Sequence, residues 1–280
     1  HYFQYQILHK ANTSLVCRAY VDLSKAQSCY PSPSNSSITL RNIYLDTILL
    51  DGLYEAAQLY VLQALLQFLS TKSKILYIDV GANIGNHVLH LAPYFDHCLA
   101  FEPQPLLYDL LHTNLKYNDI TNVTAFSVGL SDCDSHGSIS FDKDNPGGCS
   151  ITPSALGSIP LHTLDGVLGK MNFCGYQSVI KIDVEGMEDR VINGALDTIR
   201  SHKPFILFEH HNPNHTKRLA SYMTILVDLG YYLYDSHMST TQAARLASGL
   251  IPLPPTLGSR HLNSLTRAYY PLILAAPLKL

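Results

Sequence analysis

Two carboxylates and a glycine turn carry the first chemistry legible in this sequence. The stretch Ile75-Leu76-Tyr77-Ile78-Asp79-Val80-Gly81-Ala82-Asn83-Ile84-Gly85-Asn86 begins as an apolar run, closes on an acid, turns through two glycines and opens a helical pattern. A buried strand that bends tightly into a helix has this form. Gly81 and Gly85 would let backbone approach a ligand where a Cβ would clash, and the turn would aim free helix N–H groups at it. A second acid, Glu102, ends the short run Leu99-Ala100-Phe101 one strand–helix–strand unit later. A carboxylate at that strand end is placed to accept hydrogen bonds from both hydroxyls of a ribose. Each feature taken singly has a plain explanation, a tight turn or a solvated strand-end acid. Together they favour a nucleoside-like ligand.

The spacing narrows that ligand. A dinucleotide fingerprint needs a glycine where Asn83 stands, and a phosphate-cradling P-loop needs lysine and a hydroxyl residue where Asn86-His87 follow Gly85. The loop itself carries no lysine or arginine for a triphosphate, and Asp79 would repel one. An acid here suits a ligand with cationic and hydroxyl groups. S-adenosylmethionine is of that kind, with a sulfonium, an ammonium and no phosphate.

The elements that must hold these residues follow an alternating pattern. Strand 75–80 leads to a helix near 85–92, strand 98–102 to a helix over about 105–118, and a third strand runs from Val123 to Val128 and ends at Gly129. Residues 131–160 are rich in Ser, Asp, Gly and Pro and read as a small hairpin, Gly137 to Phe141, with a mobile loop of the kind that covers substrates. Val179 to Val184 is a fourth strand, followed by a helix to about Arg200. Phe205 to Glu209 is a fifth, and Gly230 to Tyr234 a sixth. Strands alternating with helices specify an α/β fold, a doubly wound, mostly parallel Rossmann-like sheet with helices on both faces. Ligands of such sheets sit at the carboxyl ends of the strands, where Asp79, Glu102, Gly129, Asp183 and Glu209 all fall.

Ahead of this unit, 53–69 reads as a mostly buried helix and 43–50 as a short strand. Residues 1–40, with a Ser/Pro-rich stretch at 30–37, read as an extension or linker. The proposed division is 1–40, a catalytic domain at 41–237, and a C-terminal extension at 238–280 whose apolar run Tyr269 to Ala276 could supply a last strand.

Bulk properties exclude some classes. The 280 residues carry a net charge of −3 with 46% hydrophobic content, enough for a real core. No basic cluster exceeds the pair Lys217-Arg218, which disfavours a nucleic-acid partner. No apolar run is long enough for a transmembrane segment. The six cysteines form no Cys-x-x-Cys pair, which argues against a zinc knuckle, although Cys17 and Cys29 could pair in an oxidising compartment. Four Asn-x-Ser/Thr sequons lean toward a secretory lumen and the scattered cysteines toward the cytosol, so the compartment stays open with the cytosol slightly favoured.

Five blocks resemble a known family: Gly52-Leu53-Tyr54-Glu55, Ile78 to Gly85, Phe101-Glu102-Pro103, Ile180-Lys181-Ile182-Asp183-Val184-Glu185-Gly186-Met187-Glu188, and Phe208-Glu209-His210. They resemble the FkbM family of S-adenosylmethionine-dependent methyltransferases over about 50 to 212. The resemblance implies a class I methyltransferase fold with seven strands, the last antiparallel, and O-methylation of a hydroxyl on a sugar or small metabolite. Carried over, Asp79, Gly81, Ala82, Asn83, Gly85 and Asn86 form the cofactor loop, with Glu55 joining the cofactor set. Glu102 holds the ribose, Val128 and Gly129 lie near the adenine, and Asp183 and Glu185 sit beside the transferred methyl. Asn86-His87 depart from the family's commoner aromatic or small hydroxyl residue.

An alcohol is a poor nucleophile, so a base must take its proton during transfer. Asp183, Glu209 and His210 are the candidates, with Glu185 orienting a small-molecule or carbohydrate acceptor. Glu188 reads as a helix-terminal acid, and His87 and His90 as ordinary helix-face residues. His210, His211 and His215 fit a solvated loop better than a metal site, so no metal is expected. Two rival classes are a nucleotide-dependent oxidoreductase, opposed by the missing middle glycine, and a non-catalytic binding module, opposed by the intact pair Asp79 and Glu102.

Overall fold

The computed structural model describes residues 2–8, 14–20, 55–69, 72–141, 149–211, 219–235 and 267–278. The expected strand at 43–50, the Ser/Pro-rich stretch, Cys29, His215 and the loop at 142–148 lie outside them. Near the start, Tyr2–Leu8 (β1) and Ser14–Tyr20 (β2) pair as an antiparallel hairpin, a regular element that the sequence reading does not anticipate.

The central unit then runs Ala56–Leu65 (α1), Ile75–Val80 (β3), Asn86–Leu91 (α2), His97–Phe101 (β4), Pro105–Tyr117 (α3) and Val123–Phe126 (β5). After a short second sheet come Gln177–Ile182 (β10), two helices, Phe205–His211 (β11), a further helix, Tyr232–Asp235 (β12) and Tyr269–Ala276 (β13). Strands β3 and β10 are buried from their second residue onward, as strands covered on both faces must be, with Asp79 and Lys181 as their buried charges. The main sheet has the order β12-β13-β11-β10-β3-β4-β5, and β13 runs antiparallel to both of its neighbours. The late apolar run at 269–276 is thus an inner strand.

Two cores flank this sheet. Tyr77, Val179, Leu207 and Leu274 point to the side packed with Leu59 and Leu62 of α1, Leu89 of α2 and Leu111 of α3. Ile78, Ile180, Ile206 and Phe208 point to the other side, against Val191, Ile199 and Met223. From β3 the chain winds outward through β4 and β5, and from β10 it winds the opposite way through β11. The order therefore reverses between β3 and β10, and the crevice above that junction is where ligands of open α/β sheets bind.

Three expectations are corrected. The third strand stops at Phe126, and Gly129–Leu130 (β6) already belongs to a second sheet. Residues 131–160 hold more than the expected small hairpin at Gly137 to Phe141: among the described residues, β6 joins Ser135–Phe141 (β7), Cys149–Pro153 (β8) and Ile159–His162 (β9) in the order β6-β9-β7-β8. The helix expected to reach Arg200 is two. After Leu164–Leu168 (α4), the chain forms Glu188–Asn193 (α5) and Leu196–His202 (α6), and Ser221–Asp228 (α7) follows β11. At the break, Gly194 lies so close to the Ser131 carbonyl oxygen that a Cβ there would collide with it. The Asp165 carboxylate then caps the restarted helix, accepting from the backbone N–H of Asp197 at 2.9 Å and Thr198 at 2.8 Å. Among the described residues, no helix is long and apolar enough to cross a membrane.

Candidate active site

The glycine turn follows β3 at the junction. Gly81 has φ 82°, Asn83 φ 52° and Gly85 φ 95°, so the loop is a run of left-handed residues that only small or side-chain-bonding types adopt readily. The Gly81 and Ala82 N–H groups both donate to the Phe101 carbonyl at 3.0 Å, which ties the loop to the end of β4. A Cβ at Gly81 would collide with the Asp183 carbonyl oxygen, and one at Gly85 would stand 2.7 Å from Leu111 Cδ1. The glycines are thus required by the neighbouring strand and helix, beyond any ligand.

Glu102 is held by this loop. Its Oε2 accepts from Asn83 N–H at 2.8 Å and its Oε1 from Gln104 N–H at 2.9 Å. Burial pushes its carboxyl up to about 7, opposed by those two bonds. An open cleft runs from here along the strand ends. Of the expected site residues, Gly81, Asn83, Glu102, Val128, Gly129, Asp183 and Glu185 line it. Phe101 and Phe126 stack behind it with ring centroids 4.8 Å apart. Glu185 is exposed and left-handed at φ 50°. Glu188 accepts from Gly186 N–H at 3.1 Å, the helix-terminal role expected of it.

Asp79 does not line the cleft; it lies one layer beneath, fully buried. It is the register partner of Lys181 across β3 and β10, and Lys181 Nζ stands 3.6 Å from its Oδ1 and 3.1 Å from Asp183 Oδ2. Burial raises the Asp79 carboxyl to about 6 even though Lys181 pulls it down. For Lys181 burial works against the charge, but the carboxylates of Asp183, Asp79 and Glu55 outweigh it and hold the ammonium well above its ordinary range.

Further acids converge on this ammonium. One carboxylate oxygen from each of Glu55, Asp183 and Glu209 lies within 4.8 Å of the other two. Such a trio is common without a metal, and none is assigned, because the cation of this group is Lys181. Glu55 precedes α1 with φ 51° and accepts from Gln58 Nε2 at 2.9 Å. Burial raises it to about 7, with Asp183 and Asp79 adding to the shift and Lys181 opposing it. Glu209 rises to about 8 through burial and then the charges of Asp183 and Glu55, while Lys181 and a hydrogen bond with Tyr269 pull it back.

Two members of this network escaped the sequence reading. His87 sits in the buried face of α2 with Nε2 3.6 Å from Glu55 Oε2, and burial keeps it well below the usual imidazole range. Lys181 was visible as a lone charge inside Val179-Ile180-Lys181-Ile182, and a buried ammonium requires a carboxylate partner. His210, by contrast, is separated from the acids. Successive strand residues face opposite sides, and its Nδ1 lies 2.8 Å from the Tyr222 hydroxyl, between the Tyr222 and Tyr270 rings. Ala82, Gly85 and Asn86 are buried in the turn without lining the cleft.

These residues fit S-adenosylmethionine. A caged carboxylate with further lone pairs suits ribose hydroxyls, and the excess of acids over the single buried ammonium suits a cationic donor. The sequence matches the Methyltransferase FkbM domain family over residues 79–233. It is 33% identical over 149 residues to the hexuronic acid methyltransferase AglP of Haloferax volcanii, an alignment covering 51% of this chain and 60% of that protein. It is 35% identical over 79 residues to the methyltransferase sdnD of Sordaria araneosa, covering 27% and 30% respectively. Both alignments thus span less than two thirds of these relatives. A crystal structure of methyltransferase FkbM from Methylobacillus flagellatus aligns with 84% of this chain and 60% of its own, at 15% identity and a TM-score of 0.38. On its sequence match and its glycine-turn cleft, this chain belongs to the FkbM family of methyltransferases, whose methyl donor is S-adenosylmethionine.

Proposed function

We propose that this chain catalyses O-methylation, moving the methyl group of S-adenosylmethionine to a hydroxyl of a carbohydrate or small polar metabolite. The observation that carries this reading is the convergence of Glu209 of β11, Asp183 just past β10 and Glu55 ahead of α1, of which Asp183 also lines the cleft that Glu102 lines. The sugar acid named for the Haloferax relative supports a carbohydrate acceptor.

When bound, S-adenosylmethionine supplies a methyl group on a sulfonium, an electrophile that needs no further activation. Glu102 would hold the ribose, with Val128 and Gly129 along the adenine, and Asp183 and Glu185 would orient the acceptor hydroxyl in line with the S–CH₃ bond. The acceptor oxygen forms the new bond to carbon as the carbon–sulfur bond breaks. The bond's electron pair stays on sulfur, giving S-adenosylhomocysteine. Glu209 takes the hydroxyl proton on a carboxylate oxygen. A base with a pKa near the working pH is the most effective one, and Glu209, raised to about 8 and facing the other acids, meets that condition.

An acceptor panel of neutral sugars, uronic acids and small alcohols, incubated with methyl-labelled donor, tests the reading. Label transferred to a hydroxyl oxygen supports it. Donor binding without transfer to any hydroxyl, or transfer only to carboxylates, nitrogen or carbon, overturns it.

A further inference from the structure

We propose that Lys181 is a positioning residue for methyl transfer: clamped between Asp79 and Asp183, its ammonium fixes Asp183 at the cleft wall and supplies the positive charge that the acceptor-side acids share. The inference rests on the reading of the site given above. Lys181 is 4% exposed and cannot reach a bound molecule past the residues that cover it. Its effect must therefore pass through its neighbours.

The geometry is specific. Lys181 and Asp79 are paired across β3 and β10, so their side chains rise from the same face of the sheet. Asp183 follows two residues later, where β10 ends and the cleft begins. The Nζ contact at 3.1 Å uses Asp183 Oδ2, and Asp183 itself lines the cleft. A buried charge is costly to desolvate and is kept only where partners repay it, and here two carboxylates flank one ammonium. The same ammonium acts at the proposed base. Glu209 is faced by Asp183 and Lys181 from β10, by Glu55 ahead of α1 and by Tyr269 from β13; Lys181 is the cation in that set. Removing it leaves three acids facing one another, which disfavours the ionised, proton-accepting form of Glu209.

Lys181→Met and Lys181→Arg, compared with wild type, test this. The expected result for K181M is turnover lower by about 10-fold or more at pH 7, with donor affinity at pH 9 within about 3-fold. Its acid limb should move upward by about one pH unit, and K181R should restore the limb. A merely structural role would not move the limb. If K181M does not fold, the double variant K181M/D79N, which removes the ammonium with one counter-charge, takes its place. An unmoved limb with turnover within about 2-fold of wild type overturns the inference. Infrared titration of the carboxyl stretch, assigned with Glu209→Gln, reads the same shift without any acceptor. Failure of the wild type to methylate every acceptor would thus count against the proposed reaction, whereas an unshifted infrared titration would count against Lys181.

Discussion

Asp79 and Lys181 stand directly opposite each other on β3 and β10, and their side chains meet in the core with Nζ 3.6 Å from Oδ1. One sits below the cofactor turn and the other below the acceptor side. The pair joins the two halves of the site at the point where the sheet order reverses.

Breaking that pair from one side should be severe. Asp79→Ala leaves a fully buried ammonium short of a counter-charge and should destabilise the chain by about 3–5 kcal/mol. Urea unfolding measures it. The double variant Asp79→Ala/Lys181→Met should recover part of the loss, since the two facing charges leave together, and the rest should persist because Asp183 loses its contact with the ammonium.

Glu209→Gln should lower turnover by about 10²–10⁴-fold while donor affinity stays within a few fold. In the wild type, turnover should rise with pH as the Glu209 carboxyl, at about 8, loses its proton. Steady-state rates across the range check both. A flat profile with a fully active amide variant removes Glu209 as the base.

Stability should run the other way. Glu55 and Glu102 at about 7 and Glu209 at about 8 all lie above their ordinary value of 4.5. The folded state therefore binds more protons than the unfolded state between those limits. Its stability is full below about pH 4.5 on their account and declines as pH rises through 7 to 8. Thermal unfolding of the ligand-free protein across pH 5 to 9 should show a falling Tm. Added S-adenosylmethionine, a cation that binds only the folded state, should offset the fall more than S-adenosylhomocysteine does.

Glu102→Gln should weaken donor binding by about 10- to 100-fold, because bonds from ribose hydroxyls to a charged acceptor are worth about 1.5–3 kcal/mol. The amide also presents an N–H₂ to one of the two backbone donors that now hold the carboxylate. Calorimetry with either adenosyl compound decides it. Equal affinity would leave the ribose without its expected partner.

Much of this was readable from the chain. The runs at 75–80 and 179–182, apolar but for Asp79 and Lys181, announced strands buried on both faces, and acids placed at strand ends announced the crevice. The second sheet was not readable, because its short strands carry serine and proline that suit loops equally well, and their pairing is set by distant partners. The need for glycine at 194 comes from Ser131, a neighbour in space and not in sequence. The separation of Glu209 from His210 was available in principle: alternation puts Glu209 with Leu207 and His210 with Phe208. Lys181 lacked a role in the sequence reading for a different reason. Its partner is fixed by the register between two strands far apart in the chain, and register is a property of the assembled sheet.

The tight fit of Gly81 beneath the Asp183 carbonyl has a practical corollary. Donor platform and acceptor wall are cast as one piece, so neither can be remodelled without disturbing its counterpart. Retargeting this scaffold to new alcohols should keep 79–86 and 181–183 intact and diversify the exposed rim around Glu185.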